Sequence, residues 1–107
     1  MTCKYTTMME AFGSLGCEFW EEGGASGATA FAFYLSDDRS IVVLITDDDG
    51  MCEHPTDATR VFTVGLYEDE KPVDIATVDC RALGNNLCEI TAKVMFRLEA
   101  LIIPHGL

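Results

Sequence analysis

Apolar residues recur along this chain with two different periods. Thr7-Met8-Met9-Glu10 has the form of a capping box, a hydroxyl and a carboxylate three residues apart that satisfy backbone N–H groups at a helix start. Met8, Phe12, Leu15 and Phe19 then fall on one helical stripe, which predicts an N-terminal helix of about four turns. Gly13 and Gly16 weaken it by about 1 kcal/mol each relative to Ala, so the helix depends on tertiary packing. With Met9 and Trp20 they also line a flat strip that permits close backbone approach. The glycine-rich residues 23–27 read as a flexible connector.

After the connector the period becomes two. Residues 29–36 and 40–46 predict a β-hairpin across Asp37-Asp38-Arg39. With Ser36 opposite Ser40, Phe31 faces Ile45, Phe33 faces Val43 and Leu35 faces Ile41, all on one side. Ala30, Ala32, Tyr34, Val42 and Leu44 fall on the other side, which is also mainly apolar. One helix cannot cover both, so a second layer or a partner subunit is implied.

Beyond a polar loop at 47–59, residues 61–67 alternate with Phe62, Val64 and Leu66 on one side, residues 68–72 form a turn, and residues 73–80 read as a less regular, bulged strand. Residues 87–101 fit both periods. Cys88, Ile90, Ala92, Val94, Phe96 and Leu98 alternate with polar neighbours, whereas Leu87, Ile90, Val94, Leu98 and Leu101 make a helical stripe that Asn86 and Glu89 could cap. Glu89, Lys93 and Arg97 also have helical ion-pair spacing. A helix leaves Phe96 on the polar face and a strand leaves only Met95 out of place, so a strand is expected, with a second helix as the alternative. Residues 1–107 are therefore read as a single α+β domain, an N-terminal helix packed on an antiparallel sheet of four or five strands.

Length and composition narrow the function classes. A chain of 107 residues, 49% hydrophobic, can bury one core. Eighteen Asp and Glu against seven Lys and Arg, a net charge of -11, argue against nucleic acid and anionic membrane surfaces as partners and in favour of basic or cationic ones. The longest apolar runs, at 41–45 and 100–103, are far below the roughly 20 residues a membrane span requires. Five cysteines without a C-x-x-C pair make a poor disulfide or zinc framework, and the N-terminus lacks the apolar stretch of a signal peptide, so a cytoplasmic protein with reduced thiols is expected.

The acidity is concentrated: residues 10–57 hold eleven acids and one base, Arg39. Glu18 and Glu22 have the spacing of a repelling pair near the expected helix C-terminus, where the macrodipole disfavours negative charge. The hairpin register and a connector reaching at most about 20 Å bring Glu21 and Glu22 toward Asp47, Asp48 and Asp49, with Glu53 and Asp57 nearby. Glu18, Glu21, Glu22, Asp47, Asp48, Asp49, Glu53 and Asp57 thus form a candidate acidic rim, either a docking surface for a basic protein or a solvated face that maintains solubility.

No catalytic, metal or cofactor residue is assigned. With Gly50 at the sixth position of a calcium loop, the first and twelfth positions are Ile45 and Thr56, which excludes an EF-hand. Cys52-Glu53-His54 could pair a thiol with an imidazole, but it has no third partner in sequence, and the glycine segment lacks the Lys and Ser or Thr of a phosphate-binding loop. The primary expectation is a small acidic cytosolic interaction module without catalytic activity, engaging a basic partner and homodimeric through Tyr34, Val42 and Leu44. The alternative is a small-molecule-binding protein or cavity enzyme with a pocket between helix and curved sheet, lined by Trp20, Phe31, Phe33 and Phe96.

Overall fold

The computed structural model describes residues 3–22 and 27–107. The connector expected at 23–27 lies outside the described residues except for Gly27. Helix α1 (Met8–Ser14) is followed by strands β1 (Glu18–Glu21), β2 (Thr29–Tyr34), β3 (Ile41–Asp47), β4 (Val61–Glu68) and β5 (Lys71–Asp79), and then by helix α2 (Leu87–Ile102), which runs into a 3₁₀ turn at Ile103–His105. The strands form one antiparallel sheet in chain order, the α+β architecture read from the sequence.

The N-terminal helix is shorter than its stripe predicts. Thr7 caps it as expected, accepting from the Glu10 N–H at 3.1 Å. The Glu10 carboxylate accepts from the hydroxyls of Thr6 and Thr7, each at 2.9 Å. The helix stops after seven residues because Gly16 takes a positive φ of 94°, with Gly16 N–H bonded to the Gly13 carbonyl and Cys17 N–H to that of Phe12. These are the bonds of a Schellman stop, a position where the missing Cβ is useful. The remainder of the predicted stripe, including Phe19 and Trp20, is therefore an edge strand.

The hairpin register is as predicted: Phe31 pairs with Ile45 and Phe33 with Val43. Its turn is held by Asp38, whose carboxylate accepts from Ser40 Oγ at 2.7 Å, Ser40 N–H at 3.0 Å and Ser36 Oγ at 2.8 Å. The expected irregularity in β5 is a register shift between Leu66 and Tyr67, which pair with Asp74 and Pro72 and leave Val73 as the extra residue.

The expected strand at 87–101 is α2. Asn86 accepts from the Glu89 N–H at 3.1 Å, and Leu87, Ile90, Val94, Leu98 and Leu101 are buried. Tertiary demand decides between the two periods: a seven-residue α1 cannot cover a five-stranded sheet, and the helical stripe supplies the missing apolar surface. The consequence is that Phe96 stands 74% exposed on the outer side. Lys93 donates to the Asp79 carbonyl, which ties α2 to the end of β5.

The core lies between both helices and one face of the sheet. Phe12 packs against Phe31 and Phe62 with ring centroids 5.4 and 6.1 Å apart, surrounded by Met8, Val43, Ile45, Val64 and Leu66. A Cys3–Cys88 disulfide, with Cα atoms 5.7 Å apart, joins the segment before α1 to the first turn of α2. The expectation of reduced thiols thus fails for this pair, because the packing of α1 against α2 brings together two cysteines 85 residues apart. Cys17, Cys52 and Cys80 are free thiols.

Two outcomes follow from this anatomy. Reduction, or Cys3→Ser, should lower unfolding free energy by about 2–4 kcal/mol, since the link closes a long loop in the unfolded chain; urea unfolding with and without a thiol reductant measures it, and coincident curves would contradict it. The Asp38 bonds, those from Ser40 foremost, hold its carboxyl down at about 2. A lowered folded-state value contributes stability that is present above roughly pH 4 and lost as the pH falls toward 2. Asp38→Asn should therefore be less stable at neutral pH and less acid-sensitive in that window, a difference visible in paired acid-unfolding curves.

Candidate functional site

The face of the sheet opposite the helices is an open trough of about 1190 Å³. Strand register builds its floor in rows: Trp20 beside Ala30, Thr46 beside Thr63, Ala32 beside Leu44, Gly65 and Ile75, and Tyr34 beside Val42 and Tyr67. The alternation that sends Phe31, Val43 and Val64 into the core sends these residues the other way. Small residues flank the central strand, Ala30 and Ala32 on β2 and Gly65 on β4, whereas β3 itself carries Val42 and Leu44. A Cβ on Gly65 would stand 2.9 Å from the Tyr67 ring, so the ring can lie over β4 only because that position is glycine.

Loops raise the two ends. At one end Glu22 N–H bonds to the Ala28 carbonyl, Thr29 N–H to that of Cys52 and Asp47 N–H to that of Glu53, which draws Glu21, Glu22, Gly50 and Met51 to the same lip. At the other end the β4–β5 turn carries Asp69 and Glu70, and the β2–β3 turn carries Arg39. Arg39 lies over the Tyr34 ring at 4.4 Å and pairs with Glu18 at 3.4 Å. Four carboxylates and one guanidinium therefore line the trough, and its apolar floor sits between acidic ends.

The structure divides the predicted acidic rim. Glu21 and Glu22 do line the lip beside the 47–53 loop. Glu18 sits at the opposite end of β1, because three residues of extended chain span about 10 Å where a helix would have brought it within a turn. Asp47 accepts from Thr59 Oγ1 at 2.6 Å and from Asp49 N–H at 2.9 Å, and Asp48 accepts from Thr63 Oγ1 at 2.8 Å, so these two carboxylates brace the loop. Asp57 accepts from Met8 N–H at 2.7 Å and steadies the start of α1. Asp49 and Glu53 are exposed. Sequence reasoning missed Asp69, Glu70 and Gly65; a glycine inside an alternating strand was the available signal for a close approach.

The apolar predictions divide in the same manner. Tyr34, Val42 and Leu44, the expected dimer face, all line the trough, as does Trp20. Phe31 is buried in the core, Phe33 packs against it from the helix side and Phe96 is on the outside of α2, so these three residues do not converge with Trp20 on one space. In Cys52-Glu53-His54, the imidazole Nδ1 lies 2.9 Å from Thr29 Oγ1 and the thiol donates to the Gly50 carbonyl, so both groups anchor the loop to β2 or to itself. Burial pushes the Cys17 thiol up to about 11, which keeps it protonated at neutral pH.

Asp69 and Glu70 both adopt positive φ, 51° and 68°, in the two-residue turn joining β4 and β5. Asn-Gly or Asp-Gly is the usual choice for such a turn, because a side chain in this region costs about 1 kcal/mol. Glu70→Gly should therefore stabilise the protein by about that amount in urea unfolding; an unchanged or lowered stability would show that the carboxylate itself contributes to the turn. Compared with protein-family models, with curated proteins and with solved structures, the chain matches none.

Proposed function

We propose that this chain is a small acidic interaction module without catalytic activity, whose helix-free sheet face receives an apolar segment of a basic partner protein. The observation that carries the reading is the trough itself, with Trp20, Tyr34, Val42 and Leu44 lining an apolar floor that neither helix covers and carboxylates at both ends. An uncovered apolar sheet face of this kind favours an occupant. Its open form and its volume of about 1190 Å³ suit a polypeptide better than a small ligand, whose pockets enclose roughly 300–1,000 Å³. Phe12, Phe62 and the apolar stripe of α2 pack between helices and sheet, which speaks against the small-molecule alternative.

Four carboxylates and one guanidinium line the trough, and a second copy would bring the same excess of negative charge, so the charge pattern favours a basic partner over self-association. Light scattering should then give the 11.7 kDa monomer at low and high salt. A lysine-bearing apolar peptide should shift Trp20 emission, and Leu44→Lys should weaken its binding at least about tenfold while leaving the circular dichroism unchanged. A dimer that persists in high salt and dissociates in Leu44→Lys would overturn the reading and assign the trough to a second copy.

A further inference from the structure

We infer that the trough's occupant is an amphipathic α-helix with basic ends, lying diagonally across β2, β3 and β4; this deepens the preceding reading and rests on it. Most of the floor belongs to β2, β3 and β4, whose backbone groups are already paired on both sides. An extended segment laid on that face would bring its own N–H and C=O groups onto an apolar surface without partners, whereas a helix satisfies its backbone internally. A strand would instead add at an edge, β1 or β5, and leave the central floor on β2, β3 and β4 uncovered. Of its polar floor groups the Thr63 hydroxyl is committed to Asp48, and scattered side-chain groups do not supply the regular donors and acceptors that an extended backbone needs.

The shape agrees with this. Ala30 and Ala32 keep the floor low along β2 between Trp20 and Tyr34, where a helix can approach closely, while the Tyr67 ring covers Gly65 on β4. The same sheet already solves the same problem on its other face with α2, a 16-residue helix.

Charge sets the direction and length. Glu21 pairs with Thr29, and the register carries that row to Phe62 on β4, whereas Asp69 and Glu70 follow the far end of β4. The acidic ends are thus diagonally opposed. Seven residues of strand and three strand spacings make a diagonal of about 27 Å, the length of about 18 helical residues. Among the described residues the ion pairs Arg39–Glu18 and Arg81–Asp79 and the His105–Asp74 contact do not involve Glu21, Asp69 or Glu70. Lysines or arginines at both ends of the incoming helix complement them.

The test uses three synthetic 18-residue peptides without tryptophan: one with leucines and alanines along a single helical face, glutamines elsewhere and lysines at both ends; one with the same composition permuted to destroy that face; and the first with a central proline. Trp20 is the protein's single tryptophan and lines the trough, so its emission reports occupancy, and circular dichroism reports helix formation. The first peptide should bind at least about tenfold more tightly than the other two and gain helicity on binding, and replacing its lysines with glutamates should abolish the effect. Equal binding of the permuted or proline-containing peptide overturns the helical occupant and leaves the trough as a binding face. If no basic peptide perturbs Trp20, or if binding survives both Leu44→Lys and Val42→Lys, the trough reading falls as well.

Discussion

The pairing of Phe31 with Ile45 and Phe33 with Val43 is the constraint on which the rest of the molecule depends. Because side chains alternate along a strand, this register commits one set of apolar residues to each face of the sheet at once. A slip of one residue would exchange the sets, sending Tyr34 and Leu44 inward and stranding the phenylalanines. The helices then have a defined face to cover, and Phe12, Phe31 and Phe62 meet there. Everything proposed about function concerns the set left on the other side.

How much of this could be read beforehand depended on whether local pattern or tertiary context decides. The hairpin was legible because six large residues in two strands agree on one register. Residues 87–101 were not, because their stripe and their alternation are both genuine and only the shortage of cover over a five-stranded sheet selects the helix. Gly16 shows the same limit on a smaller scale. In sequence it is a weak point inside a long stripe, yet in the fold it ends the helix, and Phe19 and Trp20 pass to an edge strand on opposite faces.

The candidate site was partly legible for related reasons. Tyr34, Val42 and Leu44 followed from the register alone. Glu21 and Glu22 reached the expected lip, although by way of a strand, and Glu18 was lost to the other end for that same reason. The carboxylates at 47, 48 and 57 proved to be braces, which only their hydrogen-bond partners reveal. With those three used in the loop and in the helix start, Glu21, Asp69 and Glu70 are carboxylates that the trough itself presents to a visitor.

The Cys3–Cys88 bond makes the chain nearly a closed ring, since 85 residues separate its two ends. A protease that cuts once inside that ring, for instance in the exposed stretch from Asp48 to Glu53, severs the backbone without releasing a fragment. The two pieces remain covalently attached and in each other's neighbourhood, so a nicked molecule retains most of the entropic advantage of an intact one when it refolds. Such a molecule migrates as one species on a denaturing gel until a reductant separates it into two.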